Sequence, residues 1–409
     1  MKELSIYIHI PFCVRKCLYC DFLSFPVGIK QAGQMCGQRQ ECANRTEVFG
    51  DAVQIQKMES YVNLLCREII SATPDYQEYQ VISVFFGGGT PSILPAEELI
   101  RILDTVRTHY RLAPDAEITM EMNPGTADAG KLRQYITAGM NRLSIGLQTA
   151  DDKELARIGR IHDYKTFLTT YELARAAGFE NINIDIMAAL PGQSISSYER
   201  TLHTVTSLVP EHISAYSLIL EEGTPLYERQ SEYLFPTEEE DREMYCLTKQ
   251  YLASHGYHRY EISNYAREGY ECRHNKVYWQ RGDYAGFGLG ASSMVRNVRW
   301  KNPEDMAEYE AYVEKVAVPQ GDRQNVLEKQ TLTEKEQMEE YMFLGLRMIQ
   351  GVDCRDFRRT FGQQIEEIYG GPLERLCRQG LLVREDNRVS LTDLGIDVSN
   401  YVLSQFLFD

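Results

Sequence analysis

Three cysteines close to the start of the chain are the residues with the clearest chemistry. Cys13, Cys17 and Cys20 are spaced C-x-x-x-C-x-x-C and follow an apolar, strand-like run. Thiolates are the usual ligands of iron–sulfur clusters, and this tight spacing lets one loop surround one cluster. Three thiolates leave one iron of a 4Fe-4S cube open to a small molecule. Structural zinc is the alternative, but it usually takes four protein ligands, and neither His9 nor Asp21 completes an ordinary zinc pattern.

Length and composition limit the class of protein. The 409 residues predict two or three domains. A net charge of −16 argues against nucleic acid or an anionic membrane as the main partner. No uninterrupted apolar stretch is long enough to cross a bilayer. Ten cysteines without an export signal predict a reducing compartment, so we expect an acidic, globular, cytoplasmic protein.

The first half of the chain alternates β-rich runs with amphipathic, helix-like stretches. The β-rich runs are residues 5–10, 81–86, 117–122, 142–147, 181–187 and 212–218. Near-continuous apolar strands between helices predict an α/β fold with a parallel sheet. Six such units favour an open or partial (β/α)6 barrel, and a closed eight-unit barrel is the competing architecture. Such folds carry their chemistry at the carboxyl ends of the strands.

Helices are expected from the same periodicity. In the first half they are residues 60–70, 96–109, 127–138, 166–177 and 194–208, and in the tail 334–349, 354–361 and 365–379. A hairpin-like piece at 381–383 and 389–391 follows, and then a helix with Thr392 as its N-cap. Three helices and a small hairpin predict a winged-helix-like domain. No dense basic run lies on it, so DNA binding is not expected.

We expect three parts in the chain. Residues 1–234 form the barrel, with a polar loop insertion at 27–58. Residues 235–325 form a mixed accessory region, and residues 326–409 form the winged-helix-like domain. Cys36 and Cys42 lie in the loop insertion; they are either auxiliary ligands or, as we favour, loop cysteines without a ligand role.

The motifs resemble those of the radical SAM family, in which S-adenosylmethionine (SAM) chelates the open iron of the cluster. Within it the chain resembles the anaerobic coproporphyrinogen III oxidase-like proteins, and among these the HemW subfamily of haem chaperones. The motifs are Y-I-H-I-P-F-C (7–13), C-L-Y-C-D-F (17–22), G-G-G-T-P (87–91), R-L-S-I-G-L-Q (142–148), L-P-G-Q (190–193) and H-N-x-x-Y-W (274–279). The likeness covers nearly the whole chain apart from the loop at 27–58. It implies a partial (β/α)6 radical SAM barrel.

The resemblance implies ligands for two cofactors. Cys13, Cys17 and Cys20 resemble the ligands of a 4Fe-4S cluster. The residues that fall where the family binds SAM are Tyr7, Gly88, Gly89, Thr90, Glu121, Gln148, Arg160 and Asp185. Glycine lets the backbone approach a ligand closely, and the planar fork of arginine suits a carboxylate. A tight turn, a helix cap or a surface salt bridge is the alternative for these residues.

His274 is the candidate haem ligand. A histidine close to Tyr278 and Trp279 is able to bind haem iron while the rings cover the porphyrin. From spacing alone we favour the alternative, in which His274 caps a turn and the two rings pack in the core. The resemblance reverses this preference, because the H-N-x-x-Y-W motif matches the histidine implicated in haem binding.

Phe22 favours a chaperone over an oxidase. The oxidases carry a fourth cysteine at this place and a longer N-terminal extension, whereas twelve residues precede Cys13 here. The resemblance therefore implies a haem chaperone that passes haem to an acceptor haemoprotein. It also implies an electron donor as a partner and peripheral association with membrane haemoproteins. Oxygen-independent oxidation of coproporphyrinogen III and radical SAM haem degradation are the alternatives. Whether the chain is an enzyme stays open.

Overall fold

The computed structural model describes residues 1–27, 52–317 and 327–408. Its strands are β1 (Lys2–Ile10), β2 (Phe12–Cys13), β3 (Phe25–Pro26), β4 (Tyr79–Gly88), β5 (Leu112–Met122), β6 (Arg142–Gln148), β7 (Ile182–Ala188), β8 (His212–Ser217), β9 (His258–Arg259), β10 (Asn264–Ala266), β11 (Tyr284–Phe287), β12 (Ser292–Val295), β13 (Val298–Lys301), β14 (Lys329–Thr331), β15 (Val352–Asp353), β16 (Leu382–Glu385) and β17 (Arg388–Leu391). Its helices are α1 (Ala52–Ala72), α2 (Ala96–His109), α3 (Ala129–Thr137), α4 (Asp152–Arg157), α5 (Tyr164–Ala177), α6 (Ile195–Ser207), α7 (Pro225–Glu228), α8 (Glu238–Ser254), α9 (Arg273–Trp279), α10 (Met306–Val316), α11 (Glu334–Gly345), α12 (Cys354–Phe361), α13 (Ile365–Arg378), α14 (Asp393–Asp397) and α15 (Ser399–Ser404). Short 3-10 turns occupy Thr73–Tyr76, Pro91–Ile93 and Gln230–Glu232. Cys36 and Cys42 lie outside the described residues, so the expectation for them stays a prediction.

A twelve-stranded sheet dominates the described part of the chain. Its strand order is β14-β13-β12-β11-β1-β4-β5-β6-β7-β8-β10-β9. The run from β1 through β4, β5, β6 and β7 to β8 is parallel throughout. These are the six predicted strands, so the partial (β/α)6 barrel is confirmed. The closed eight-unit barrel is wrong, because the first and last parallel strands, β1 and β8, do not pair with each other. β1 pairs with β11, and β8 pairs with β10.

The mixed region after the barrel extends both edges of the same sheet. β11 pairs in parallel with β1, and β12, β13 and β14 continue antiparallel from it. At the other edge β10 and β9 add two short antiparallel strands to β8. Helix α9 lies against β4, which brings the H-N-x-x-Y-W motif to the barrel. The boundary between the parts 1–234 and 235–325 stays a prediction.

Alternation along each strand separates the core from the lumen of the barrel. Successive side chains on a strand point to opposite faces of the sheet. On β1, Ile6 and Ile8 are fully buried in the main core, and Tyr7 between them lines the lumen. On β6, Ile145 lies in the core, and Ser144 lines the lumen. The lumen carries polar side chains among aromatic rings, which is a composition suited to a binding site.

Helix α1 begins earlier than the predicted end of the loop insertion. It begins at Ala52, inside the stretch 27–58 that the sequence analysis assigns to a loop. Met58, Val62 and Leu65 recur at the spacing of a helical face and are buried in the main core. The polar residues between the first apolar positions hide this period in the sequence. The loop prediction is therefore wrong for the first turns of α1.

The tail folds around its own core. Strands β15, β17 and β16 form a three-stranded antiparallel sheet beside α11, α12 and α13, with Phe357, Leu373 and Val389 buried between them. Thr392 caps α14 by accepting a hydrogen bond from the amide of Gly395 at 3.0 Å. The winged-helix-like arrangement is confirmed. Among the helices of the described ranges, none combines the length and apolar character that a bilayer crossing needs.

Candidate functional site

A cavity of 470 Å³ extends from the carboxyl ends of the parallel strands into the lumen of the barrel. The predicted site residues that line it are Tyr7, Gly88, Glu121, Gln148, Asp185 and His274. Its volume lies in the range of small-molecule sites. The structure thus brings five of the eight residues expected for SAM, and the residue expected for haem, into one cavity.

The cysteine loop lies beside this cavity. Cys13 ends β2 and is buried, and Cys17 and Cys20 are half-buried; all three are free thiols. Thr90 Oγ1 donates to Cys13 Sγ at 3.5 Å, and Arg160 Nη1 donates to Cys17 Sγ at 3.5 Å. Hydrogen bonds to cysteine sulfur tune the potential of an iron–sulfur cluster. Two of the three sulfurs therefore accept hydrogen bonds of the kind that tune such a cluster.

The glycine run brings backbone against the cysteine loop. Gly88 has φ +106°, and a Cβ there would clash with the His9 ring. A Cβ on Gly89 would lie 2.6 Å from the carbonyl oxygen of Phe12, so neither position tolerates a side chain. The amide of Gly89 donates to the carbonyl of Ile10 at 2.8 Å. Gly89 itself packs against the loop and does not line the cavity.

Two carboxyl groups face the cavity from β5 and β7, the strands on either side of β6. Glu121 Oε2 accepts a hydrogen bond from the amide of Gly88 at 3.1 Å. Burial, with repulsion from Asp185, raises the pKa of Glu121 to about 8. Burial also raises the pKa of Asp185, although Ser144 and Asn183 donate hydrogen bonds to it. The cavity thus favours a cationic or hydroxyl-bearing ligand at this wall.

Gln148 lines the cavity, and Arg160 lies behind it near the cysteines. Arg160 does not line the cavity; its Nη2 donates to the carbonyl of Gly146 and to Asn123 Oδ1, each at 2.7 Å. Gln148 ends β6 at φ +74°, a left-handed conformation that is rare outside glycine. Such strained residues concentrate at ligand sites. Arg160 thus connects the end of β6 to Cys17.

His274 is buried, and both of its ring nitrogens have a hydrogen-bonding partner. Its ring is 1% exposed and stacks on Phe85 with centroids 4.9 Å apart. Nδ1 is 2.9 Å from Ser83 Oγ, and Nε2 is 2.9 Å from Tyr278 Oη. Burial, with the nearby charge of Arg142, lowers the pKa of His274 to about 3. The imidazole is therefore neutral at physiological pH, which is the form that binds metals. The spacing-based alternative is wrong in that His274 caps no turn, although Trp279 packs against a small buried cluster as that alternative expects.

Sequence reasoning missed a second set of lumen residues. They are Tyr19, Arg142, Ser144, Asn183, Ser214 and Tyr216, which line the same cavity. Most occupy alternate positions on β6, β7 and β8, so the period-two pattern of polar residues in otherwise apolar strands could have identified them. Phe22 also lines the cavity and is 65% exposed, which places it at the mouth.

Comparison with known proteins identifies the class. The radical SAM superfamily matches residues 7–205, and the HemN C-terminal domain matches residues 332–398. In structure, the chain is similar to coproporphyrinogen III oxidase (HemN) from Escherichia coli, a radical SAM enzyme, with a TM-score of 0.80 and 22% identity over 99% of this chain and 90% of that one. This likeness shows the fold. The barrel, the cysteine loop and these matches define a radical SAM protein.

Relatives in sequence define the family. The heme chaperone HemW of Bacillus subtilis is 35% identical over 98% of this chain and 99% of its own length. The heme chaperone HemW of Lactococcus lactis is 34% identical over 100% of this chain and 98% of its own length. The chain belongs to the HemW family of radical SAM proteins.

Membership of the radical SAM superfamily implies a 4Fe-4S cluster and SAM. The donor set fits the cluster, because three free thiols share one loop and two of their sulfurs accept hydrogen bonds. No group of three or more His, Cys, Asp and Glu side chains in the described ranges could hold a single metal ion.

Proposed function

We propose that the chain is a haem chaperone that binds haem through His274 and passes it to an acceptor haemoprotein. The observation that carries this proposal is the full-length match to relatives named heme chaperone HemW. The alternative oxidation of coproporphyrinogen III is not favoured. Its support is a likeness to one solved oxidase at 22% identity, which concerns the fold alone. Phe22 also stands where the oxidases carry a cysteine.

The surroundings of His274 support its role as the iron ligand. Histidines that bind metals usually hold their other ring nitrogen in a hydrogen bond, which fixes the orientation of the ring. Ser83 Oγ provides this contact to Nδ1, and Ser5 Oγ lies 2.6 Å from Ser83 Oγ behind it. Haem iron on Nε2 would take the place of the hydrogen bond to Tyr278. Phe85 and Tyr278 would then offer aromatic surface to the porphyrin.

The remaining site residues are proposed for the cluster and SAM. Cys13, Cys17 and Cys20 would hold the cluster. Bound SAM and the cluster would supply one-electron chemistry. The residues proposed to bind and orient SAM are Tyr7, Gly88, Gly89, Thr90, Glu121, Gln148, Arg160 and Asp185. Glu121 would bind the ammonium or ribose hydroxyl groups, and Arg160 would bind the carboxylate.

We place the protein in the cytoplasm. Its proposed partners are an electron donor and an acceptor haemoprotein. The acceptors include membrane haemoproteins, with which the chain would associate peripherally. All eight described cysteines are free, as a reducing compartment favours. Nucleic acid is not proposed as a partner. The first turn of α13 carries Glu366 and Glu367, and negative charge on that helix opposes contact with phosphates.

Haem titration tests the proposal. The protein is purified anaerobically, its cluster is rebuilt, and haemin is added while the Soret absorbance is followed. We expect a one-to-one complex in the wild type and a displaced band with weaker binding in His274→Ala. His255→Ala is the matched control, because His255 is exposed on the surface after α8. Absence of a stoichiometric haem band in the wild type would refute the proposed function. Unchanged binding by His274→Ala would refute only the ligand assignment.

A further inference from the structure

Arg142 is a buried charge without a partner. It begins β6, its side chain is 2% exposed, and it forms no hydrogen bond or ion pair with any of the described residues. Its Nε atom is fully buried and unsatisfied. A buried guanidinium normally requires paired anions, since desolvation of an uncompensated charge is costly. Arg142 lines the cavity, so the group that satisfies it must come from the cavity.

The carboxylates whose charges act on Arg142 are Glu117 and Asp185, and both accept hydrogen bonds from other groups. Glu117 accepts hydrogen bonds from the amides of Arg273 and His274 at 3.0 and 3.2 Å. Burial lowers the pKa of Arg142, but the fields of Cys272, Glu117, Tyr260 and Asp185 outweigh it, so that the pKa is raised. Arg142 therefore stays charged, with its donors unused.

Arg142 and Arg160 serve opposite ends of the site. Arg160 donates to Cys17 Sγ, to Asn123 and to the carbonyl of Gly146, which places it at the cysteine loop. Arg142 lies at the other end of β6, where it pairs with Thr119, two residues from Glu117, whose carboxylate accepts a hydrogen bond from the amide of His274. The charge of Arg142 acts on Glu121 and Asp185 as well as on His274. An anionic group bound by Arg142 would therefore belong to a ligand on the His274 side of the cavity.

We propose that Arg142 binds a carboxylate of the ligand held at His274, and that this carboxylate is a propionate of haem. The assignment rests on the proposed function. Haem combines an apolar ring with two propionates, and the planar fork of arginine binds carboxylates with two parallel hydrogen bonds. His274 and Arg142 would thus fix the ring at two points, the iron and the acid edge. SAM also carries a carboxylate, so the experiment separates the two sources.

The test combines a ligand change with a residue change. Haemin and its dimethyl ester, in which both propionates are blocked, are titrated into the wild type, Arg142→Met and Arg142→Lys. We expect the ester to bind the wild type at least about tenfold more weakly than haemin, as for the loss of a hydrogen bond to a charged group. Arg142→Met should bind haemin about as weakly as the wild type binds the ester. The same variant should bind the ester with no further loss of affinity. Arg142→Lys should keep part of the preference for haemin.

Controls separate binding from folding. Arg175→Met removes a guanidinium that pairs with Glu211 outside the cavity, and it should leave the preference for haemin unchanged. The melting temperature of Arg142→Met should equal or exceed that of the wild type, because an unpaired buried charge is lost. A strong decrease would show that Arg142 has a structural role. Even then, the ester comparison on the wild type needs no substitution and still decides whether propionates matter.

The outcomes distinguish the two proposals. If the wild type binds neither haemin nor the ester, the proposed function fails. If it binds both equally, haem binding stands and the role of Arg142 is refuted. Titration with SAM and decarboxylated SAM completes the test. If Arg142→Met loses the preference for SAM over decarboxylated SAM but keeps that for haemin over its ester, the carboxylate belongs to SAM and the propionate assignment is wrong.

Discussion

At the scale of single residues, the sulfurs of the cysteine loop are held by donors from distant parts of the chain. Thr90 follows β4 and donates to Cys13, and Arg160 follows α4 and donates to Cys17. Each donor belongs to a different βα unit, so the loop takes its geometry from the barrel. Residues remote in sequence thus define the electrostatic environment of the cluster site.

Cys17→Ser tests the ligand set. Because three thiolates from one loop leave no spare protein ligand, loss of one should abolish the broad visible absorbance of the cluster and most of the bound iron. Iron content and the visible spectrum are measured after anaerobic reconstitution. Cys246→Ser is the control, since Cys246 is an exposed free thiol on α8. A normal iron load in Cys17→Ser would show that the ligands are assigned incorrectly.

At the scale of secondary-structure elements, Glu117 positions the short helix that carries His274. Its carboxylate on β5 accepts hydrogen bonds from the first two amides of α9, Arg273 N and His274 N. A carboxylate at a helix N-terminus satisfies otherwise unpaired donors and opposes the helix dipole. The barrel strand thereby determines where α9 begins and where the imidazole points.

Glu117→Gln should therefore reduce both stability and haem binding. Loss of the charged cap costs about 1 kcal/mol in the free energy of unfolding, and looser positioning of His274 weakens haem binding several-fold. Urea unfolding and haem titration measure the two effects. Asp128→Asn offers a matched control, because Asp128 caps α3 through the amide of Lys131 at 2.8 Å, away from the cavity. Equal haem affinity in Glu117→Gln and the wild type would contradict the positioning role.

At the scale of the whole molecule, Glu68 joins the first barrel helix to the accessory region. From α1 it accepts hydrogen bonds from Gly288 N at 2.8 Å, Asn302 Nδ2 at 2.6 Å and Tyr309 Oη at 2.6 Å. These partners lie more than 200 residues away in the chain, and Glu68 is 2% exposed. The contact keeps β11 and α10 against the barrel.

Glu68 predicts how stability depends on pH. Burial raises its pKa to about 7 from an ordinary 4.5, so the folded state retains a proton that the unfolded state has released. The free energy of unfolding should then fall between pH 4.5 and 7, by up to about 3 kcal/mol from this group. Urea unfolding at pH 5 and pH 7.5 measures the slope, and Glu68→Gln should have a flatter one. Identical slopes in the two proteins would contradict this pKa shift.

The sequence predicts the barrel well because its signals are local. Apolar runs mark the six parallel strands, and α2 and α12 occupy the predicted residues without any shift. Sheet extension by β9–β14 is not predictable in the same way, since strands of two to four residues have no period to detect. Arg142 escaped prediction because a charged residue at a strand start reads as a solvated end. Only the fold shows that it faces the lumen.

The outermost strands of the large sheet have a consequence for self-association. β9 has two residues and β14 has three, and they begin with His258 and Lys329. Short edge strands that carry basic residues offer an incoming chain few backbone groups for a new β-ladder. Although the sheet is wide, edge-to-edge polymerisation is disfavoured at both of its borders. We therefore expect the folded chain to stay dispersed at concentrations where long bare edges would promote fibrils.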